Sequence, residues 1–492
     1  VIKSNFTKNA ALNGGALFSD NCTSFEIKNS EFASNAATGF GGAIFSNANP
    51  KLTVDGVTFT DNKASYNANM LNQSNFSPIV SSTNNYSLFV YKSLFNGTLP
   101  ARYNLAENGF VTDVKNQQDS GNCWAFAALA SLETCVLKAS NKTFNFSVEN
   151  MKNLIEMYSA YGWKMETNEG GYNGMPMGYL ASWLGPVNAT LDPFDDKGTL
   201  SPLLDSEMHI QNIYVLPART SYTDNDAIKE AILKYGGLYA SYYHSAGYLN
   251  SKTNAYYDPY TGNGNHAITV VGWDDNYSKN NFYTAPAGDG AFIVKNSWGS
   301  SWGDNGYFWL SYGDASLTDG KNICVAYDYE SNDNYDNNYQ YDGTVGMSWL
   351  EYSTTSCYTA NVFTSQGREE LKATGFYTTQ PGMSYEVQVY KNLQDGTPNG
   401  NAVFSTPICG TEPYAGYHTV EFPKSVSLNA GETYSIVVKY ISPTVGTSFF
   451  IDSNITFGTI TCTSNNQPGQ GYYGWNGSDW KDCSTEHKAN IR

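Results

Sequence analysis

The stretch NQQDSGNCWAFAALASLE, residues 116–133, changes character at its one cysteine. A polar, glycine-containing segment precedes Cys123, and an alanine- and leucine-rich run without Gly or Pro follows it. Apolar residues recur at helical spacing in that run, which predicts a helix beginning near Cys123. A thiol at a helix N-terminus faces free N–H groups that favour the thiolate, the nucleophilic form. Because free cysteine is also among the most buried residue types, this stretch alone leaves a nucleophile and a core cysteine both open.

A cysteine nucleophile needs a base and a third group that orients the base. The chain has five histidines, and His266 precedes AITVVGW, an apolar run that predicts a buried strand with the histidine at its start. A second apolar run, AFIVK, ends at Asn296, and Trp298 follows two residues later. An Asn at a strand end can hydrogen-bond a neighbouring imidazole, and an adjacent Trp can keep water away from that bond.

The segments VKNQ…GNCWAF, NHAITVVGW and KNSWGSSWGDNGYFWL stand in the order found in the papain-like (C1) cysteine peptidases, which this chain resembles from residue 99 to about residue 330. The resemblance implies an α+β papain-like fold and hydrolysis of a polypeptide substrate through a thioester, with no metal and no other cofactor. It implies Cys123 as nucleophile, His266 as acid–base and Asn296 as the orienting group. Gln117, six residues before Cys123, matches the family's oxyanion-hole glutamine.

The chain departs from the family at a disulfide. Ser120 stands where the family often has a cysteine, and the later GCNGG-like site reads EGGYNGM over residues 169–175, so both partners are absent together. Gly170 and Gly171 resemble the glycines whose backbone pairs with an extended substrate, and a plain turn before a helix is the alternative. These two glycines and Trp298 form the predicted substrate-binding set.

Short repeats mark the N-terminal part, residues 1–68. FTKN at Phe6, FASN at Phe32 and FTDN at Phe59 recur every 26 to 27 residues, and GGAL from Gly14 returns as GGAI from Gly41. Units this small must stack to bury a core. They resemble the repeats of polymorphic outer-membrane proteins and adhesin-like surface proteins, which implies a partial right-handed parallel β-helix. A generic Gly/Asn-rich β segment is the alternative.

The rest of the chain divides by composition into a linker (69–98), the peptidase (99–330), a Tyr/Asn/Asp-rich connector (331–348) and a C-terminal region (349–492). Alternating runs between turn signals predict an antiparallel β-sandwich in the last region. It resembles the lectin-like domain that follows peptidases of this family in secreted prokaryotic proteins. The carboxylates of the connector lack the spacing of a known calcium loop, which favours a solvated connector.

Two features of the C-terminal region leave alternatives open. Trp475 and Trp480 can stack on sugar rings or pack within the sandwich. The four cysteines after residue 350 can form two disulfides or remain buried free thiols; they are Cys357, Cys409, Cys462 and Cys483.

Charge and hydropathy exclude several classes of partner. The formal net charge is −17 and no long Lys/Arg cluster occurs, which argues against nucleic acid and anionic membrane surfaces. No apolar run reaches the roughly 18 residues of a membrane span. Because the chain begins with Val1 and shows no signal peptide, we expect it to be a processed piece or a fragment.

The sequence therefore predicts a multidomain extracellular or cell-surface cysteine endopeptidase whose C-terminal domain binds a glycan or cell-wall polymer. One alternative is an adhesion or glycan-binding protein with an inactive peptidase domain. Another is a cysteine-dependent transpeptidase, which passes the acyl group to an amine.

Overall fold

The computed structural model describes most of the chain, in the ranges 1–11, 15–20, 24–37, 42–47, 52–63, 70–73, 79–81, 97–156, 163–167, 169–260, 262–341, 347–394, 396–444, 446–457 and 460–492. Gly14, Gly41, Cys22 and most of the predicted 69–98 linker lie outside these ranges. The chain separates into two compact units. One comprises Val1–Ser81, Trp349–Thr355 and Val445–Thr447, and the other holds the remaining residues from Ser82 onward.

The repeats of the first unit form short strands that pair in parallel. Those strands are β1 (Asn5–Thr7), β2 (Ala10–Ala11), β3 (Leu17–Asp20), β4 (Phe25–Lys28), β5 (Glu31–Ala33), β6 (Ala36–Ala37), β7 (Ile44–Asn47), β8 (Leu52–Asp55), β9 (Thr58–Thr60) and β10 (Met70–Gln73). One more strand of this unit, β11 (Ile79–Ser81), instead pairs antiparallel with residues 349–351. Their parallel ladders are β1–β5–β9, β3–β7–β10, β4–β8 and β2–β6. Phe6, Phe32 and Phe59 share one register, with ring centroids 4.8 and 5.6 Å apart.

The repeated asparagines form a second ladder in the same unit. The Nδ2 of Asn9 donates to Asn35 Oδ1 at 2.9 Å, and the Nδ2 of Asn35 donates to Asn62 Oδ1 at 3.0 Å. Gly15 lies so close to the next repeat that a Cβ there would stand 2.1 Å from the carbonyl oxygen of Gly42. The repeat residues are therefore fixed by stacking between neighbouring repeats.

The peptidase part of the second unit packs helices on one large sheet. Its helices are α1 (Cys123–Ser140), α2 (Val148–Ile155), α3 (Gly174–Ala181) and α4 (Asp226–Tyr235). Its strands are β12 (Arg102–Asn104), β13 (Met208–Val215), β14 (Leu238–Tyr242), β15 (Leu249–Asn250), β16 (Ala255–Tyr256), β17 (His266–Asp274), β18 (Ala291–Lys295), β19 (Tyr307–Ser311) and β20 (Cys324–Ser331). Single 3₁₀ turns occur at Ala246–Tyr248 and Lys279–Asn281.

Helix α1 is the core helix of this part. It is apolar enough to meet the criterion for a membrane span, but 78% of it is buried inside the protein, so the packed core accounts for its hydropathy. The hydroxyl of Thr269 in β17 donates to the carbonyl oxygen of Ala127 at 3.2 Å and ties the helix to the sheet. This contact fixes the start of α1 relative to the start of β17.

The C-terminal part is an antiparallel sandwich whose strands are β21 (Met347–Tyr352), β22 (Ser356–Thr364), β23 (Glu369–Thr378), β24 (Met383–Lys391), β25 (Asn401–Ala402), β26 (Ile408–Glu412), β27 (Ala415–Leu428), β28 (Thr433–Ile441), β29 (Thr447–Ser453), β30 (Ile455–Phe457), β31 (Ile460–Cys462), β32 (Gly471–Gly474), β33 (Lys481–Asp482) and β34 (Ala489–Ile491). A short helix, α5 (Cys483–His487), precedes the last strand. One sheet is ordered β25-β24-β28-β22-β32-β33, with β26 also on β24.

Strands β23 and β27 of the sandwich continue the peptidase sheet, while β29 pairs with β34 and β30 with β31 in separate smaller sheets. The order β15-β16-β19-β18-β17-β14-β20-β13-β27-β23 runs from peptidase strands into sandwich strands. The crossing point is the antiparallel pair β13–β27, in which Asn212 opposes His418 and Val215 opposes Ala415. Peptidase and sandwich therefore share main-chain hydrogen bonds.

Two sequence-based alternatives are resolved in this part. Cys357, Cys409 and Cys483 are free thiols, so the four late cysteines do not form two disulfides. The described connector residues 331–341 are exposed or half-buried, which agrees with a solvated connector. Two of them also contact the sandwich: Tyr339 Oη donates to Glu369 at 2.7 Å, and Asn337 Nδ2 donates to the same carboxylate at 3.0 Å.

Candidate active site

Cys123 is the first residue of α1, as the composition change at that position predicts. Its N-cap residue, Asn122, makes no side-chain cap hydrogen bond, and the Ala125 N–H donates to the Asn122 carbonyl oxygen at 3.0 Å. The first-turn N–H groups that act on the thiol are those of Cys123 and Trp124. Burial raises the pKa of the Cys123 thiol, and hydrogen bonds from the backbone N–H groups of Ala267 and Trp124 oppose this rise. The helix N-terminus thus acts in the expected direction, but burial outweighs it for the thiol taken alone.

His266 begins β17, also as predicted, and the residue after it is the Ala267 whose N–H contacts the thiol. The Nε2 of His266 lies 2.8 Å from Asn296 Oδ1. This oxygen also accepts from the Ser297 N–H at 2.8 Å, which fixes the orientation of the amide. Since Asn296 Oδ1 can only accept, Nε2 carries the ring proton and Nδ1 of the neutral ring is left as the basic nitrogen.

Aromatic rings enclose the histidine. Trp298 stacks on His266 with centroids 4.6 Å apart and planes at 26°, and Trp302 meets Trp298 edge-on at 4.8 Å. The ring centroid of His244 lies 5.1 Å from that of Trp298 and 6.1 Å from that of His266. Sequence analysis missed His244, because the segment around it, YYHSAG, carries no motif and only the fold brings it here.

The environment of His266 favours a neutral imidazole. Burial lowers the pKa of His266 to about 4, the hydrogen bond to Asn296 opposes this shift, and the nearby His244 adds to it. Forming either charge alone in this dry site is unfavourable.

Gln117 belongs to the same hydrogen-bonded chain. Its backbone N–H donates to the Ser297 carbonyl oxygen at 2.7 Å, and its Oε1 accepts from Ser297 Oγ at 2.7 Å. Its Nε2 donates one hydrogen to the Ser120 carbonyl oxygen at 2.8 Å, which leaves a second hydrogen available. Ser297 therefore joins Gln117 to Asn296, and sequence analysis gave Ser297 no role.

The two glycines of the predicted substrate-binding set differ in their surroundings. Gly170 has a φ of +86° with nothing within 4 Å of a notional Cβ, whereas a Cβ on Gly171 would stand 2.2 Å from Trp124 Cδ1. Gly171 is thus required by the packing of the residue next to Cys123. Pairing of either glycine with a substrate stays a prediction.

A polar cluster occupies the place where the family's disulfide is absent. In the amide orientation that satisfies both of its ends, Asn122 accepts from Ser120 Oγ at 3.3 Å and Thr167 Oγ1 at 2.9 Å. Its Nδ2 then donates to Glu156 Oε1 at 3.1 Å and to the Thr167 carbonyl oxygen at 3.2 Å. These hydrogen bonds connect the loop before Cys123 to Glu156 and Thr167. No disulfide can make such a connection here, because neither Ser120 nor the segment EGGYNGM contains a cysteine.

Comparison with protein-family models agrees with this geometry. Residues 99–329 match the model for papain family cysteine proteases. The chain contains a papain-family cysteine peptidase domain. Residues 338–492 match the model described as a lectin like domain, which places a lectin-like domain after the peptidase domain.

Curated relatives of the peptidase domain include cathepsins. Cathepsin S of Mus musculus is 31% identical over 227 residues, which cover 44% of this chain and 60% of the relative. Cathepsin S of Bos taurus is 32% identical over 225 residues, which cover 44% of this chain and 61% of the relative. The matched part of the chain spans less than two thirds of the length of these relatives.

Solved structures extend the similarity to both domains. The clostridial cysteine protease Cwp84 after propeptide cleavage is 26% identical with a TM-score of 0.68, and the match covers 79% of this chain and 97% of that one. A structure of its cysteine protease and lectin-like domains, described as those of a surface layer associated protein of Clostridium difficile, is 25% identical with a TM-score of 0.68. That match covers 84% of this chain and 89% of the other.

Proposed function

We propose that the peptidase domain hydrolyses peptide bonds with Cys123 as nucleophile and His266 as acid–base. The observation that carries the proposal is the continuous hydrogen-bonded chain from Gln117 through Ser297 and Asn296 to His266, whose neighbour Ala267 contacts the thiol. Thiol-based acyl transfer needs a nucleophile, a base and a group that orients the base. Cys123, His266 and Asn296 provide these three groups.

In the proposed reaction, His266 Nδ1 takes the thiol proton as the sulfur bonds to the scissile carbonyl carbon. The second Gln117 Nε2 hydrogen and the Cys123 N–H stabilise the oxyanion; loss of one such donor typically costs about 3 kcal/mol of barrier. The imidazolium then protonates the leaving amine as the C–N bond breaks, which leaves a thioester. Water, deprotonated by His266, attacks the thioester, and the carboxylic acid and free thiol are released.

We further propose that the enzyme acts at the cell surface or outside the cell and that its lectin-like domain binds a glycan. The similarity to a surface layer associated protein and the match to a lectin-like model support this role. The parallel Phe and Asn ladders support assignment of residues 1–68 as part of a right-handed β-helix of the adhesin-like type.

The test of the reaction is labelling with a peptidyl epoxide, followed by mapping of the modified residue and assay of variants. We expect the label on Cys123, no peptide hydrolysis by Cys123→Ala, and a smaller loss in Asn296→Ala, since Asn296 orients and does not react. Peptide cleavage by Cys123→Ala at the parent rate would refute the assignment. An unlabelled, inactive parent would favour an adhesion protein with an inactive domain, and products joined to an added amine would favour a transpeptidase.

A further inference from the structure

A second histidine, His244, lies beside the proposed acid–base, and the proposed reaction gives it no role. Its ring meets Trp298 edge-on, with planes at 81° and centroids 5.1 Å apart, and its centroid is 6.1 Å from that of His266. Both His244 and Trp298 are half-buried, so each presents part of its surface to solvent. The corner that these two rings form is therefore within reach of a bound substrate.

The proposed reaction determines which part of a substrate meets this corner. The oxyanion forms at the Gln117 side chain and the Cys123 N–H, whereas the leaving amine must lie at His266, which protonates it. Trp298 covers the His266 ring, with planes at 26° and centroids 4.6 Å apart. The residue that carries the leaving amine therefore lies next to Trp298 and His244.

Hydrogen bonds from the residue before His266 hold the backbone of His244. The His244 N–H donates to Asn265 Oδ1 at 2.7 Å, and Asn265 Nδ2 donates to the His244 carbonyl oxygen at 2.9 Å. Tyr256 stacks on the imidazole with centroids 5.2 Å apart and planes at 22°. These contacts fix the His244 ring relative to His266.

One ring nitrogen of His244 has a protein partner and the other has none. Nδ1 lies 2.7 Å from the hydroxyl of Tyr242, a side chain that is 0% exposed. Within the part of the chain that the structure describes, this hydroxyl has no other partner, so it donates its hydrogen to Nδ1. The hydrogen of the neutral ring is then on Nε2, which has no partner among the described residues and is not a buried atom. The Nε2–H group is an oriented donor that the protein leaves unused.

His244 also lacks an acidic partner. Burial lowers the pKa of His244, and no carboxylate of the described residues opposes this shift. A hydrogen bond from an N–H group to a carboxylate is about twice as strong as one between neutral groups. A carboxylate on the residue that carries the leaving amine would satisfy Nε2 and would meet no like charge at the ring.

We propose that His244 Nε2 donates to a carboxylate on the first leaving-group residue of the peptide, which makes His244 a specificity-determining residue. The carboxylate belongs to an aspartate side chain or, where that residue ends the substrate, is its α-carboxylate. The inference rests on the proposed peptide hydrolysis and names the chemistry preferred on the leaving-group side of the cleaved bond.

The test measures kcat/KM of the full chain on peptides with equimolar residue mixtures at the acyl-side positions and either Asp or Asn at the first leaving-group position. A second series ends at that position in Ala, as the free acid or as the amide. We expect about a 10-fold preference for Asp over Asn, for the free acid over the amide, or for both. The series that shows the preference identifies the source of the carboxylate.

Variants of His244 then assign the preference to Nε2. His244→Phe keeps a ring without a donor, and His244→Asn is too short to place a donor at the Nε2 position, so both should abolish the preference and still cleave the Asn peptide. His244→Gln places an N–H group near the Nε2 position and should retain part of it. A merely structural role would change hydrolysis of both peptides alike and leave their ratio unchanged.

His487→Phe is the matched control and should keep the parent's preference. His487 is also half-buried, and its Nε2 lies 2.9 Å from the Tyr473 hydroxyl, but it belongs to the sandwich. Equal kcat/KM within both pairs of peptides, or an unchanged preference in His244→Phe and His244→Asn, would overturn the inference while the proposed hydrolysis stands. Absence of cleavage of every peptide by the parent would overturn both.

Discussion

Gly171 lies against the indole of Trp124 so closely that a Cβ at this position would stand 2.2 Å from Trp124 Cδ1. Trp124 is 2% exposed and follows Cys123 in the first turn of α1. A side chain at position 171 must therefore displace either its own loop or the turn that carries the nucleophile. The glycine is a packing requirement of the active site, whatever it contributes to substrate binding.

Gly171→Ala should lower both stability and peptidase activity. Overpacking of this kind costs about 1–3 kcal/mol, and movement of the Cys123 turn reduces kcat/KM in addition. Chemical denaturation and peptide assays measure the two effects. Gly367→Ala is the control, because nothing lies within 4 Å of a Cβ there. A Gly171→Ala variant as stable and active as Gly367→Ala would contradict the packing argument.

Ser297→Ala should act on catalysis through Gln117. Loss of the 2.7 Å bond from Ser297 Oγ frees the Gln117 side chain, which blunts oxyanion stabilisation. We expect kcat to fall about 10-fold, or ~1.4 kcal/mol of barrier, with little change in KM. Alkylation of Cys123 by a small reagent should be unaffected, because that reaction forms no oxyanion. Ser300 is exposed, so Ser300→Ala should have the kcat of the parent. If Ser300→Ala lost as much kcat as Ser297→Ala, the role of Ser297 in holding Gln117 would be refuted.

In the proposed mechanism Cys123 and His266 share one proton, and this pair sets the pH range of activity. The acid limit is addition of a second proton to the pair, which occurs near pH 4, because burial lowers the pKa of His266 to about 4. The alkaline limit is loss of the pair's single proton, and burial raises the pKa of Cys123 above its ordinary value. Alkylation of Cys123 should therefore show a plateau between these limits. In His266→Ala the plateau should disappear and the rate should follow a lone thiol; a parent chain with that profile would show that no pair exists.

Glu156 should make the protein less stable as pH rises. Burial raises its pKa to about 8, against about 4.3 for an unfolded chain. Below pH 4 both states are protonated. Between about pH 4.3 and 8 the unfolded state releases the proton that the folded state keeps, so stability falls by up to about 1.4 kcal/mol per pH unit and then levels off.

Glu156→Gln should therefore have a flatter Tm–pH curve than the parent and a higher Tm at pH 8. Glu107→Gln provides a control of opposite sign, because a hydrogen bond to Arg102 lowers the pKa of the exposed Glu107. The ionised Glu107 carboxylate stabilises the folded state at neutral pH, and this stabilisation is lost when the carboxylate is protonated in acid. Parallel curves for Glu156→Gln and the parent would mean that Glu156 is ionised in the folded state.

Local sequence signals predicted the elements that carry the chemistry. Cys123 and His266 begin α1 and β17 because a change from polar to apolar composition marks both boundaries. The burial that raises the pKa of Cys123 could not be predicted in this way. Nor could the hydrogen bond from the Ala267 N–H that opposes this rise, because Ala267 is distant from Cys123 in sequence.

Contacts across long sequence separations were missed for the same reason. His244 reaches Trp298 through the pairing of β14 with β17, and no motif surrounds it. A cavity of about 640 Å³ is lined by Gln211 and Trp183 of the peptidase part together with Tyr434 of the sandwich, which lies more than 200 positions after Gln211. Periodicity gives the strands of a sandwich but does not show where its two sheets leave space.

The β13–β27 pair has a mechanical consequence. Because main-chain hydrogen bonds join Asn212 to the strand of His418, the lectin-like domain is not a module swinging on a tether. Stretching the chain between peptidase and sandwich would require breaking a ladder of bonds within one sheet. The lectin-like domain therefore stands at one set distance from Cys123, and any polymer that it holds is presented to the peptidase domain at that distance.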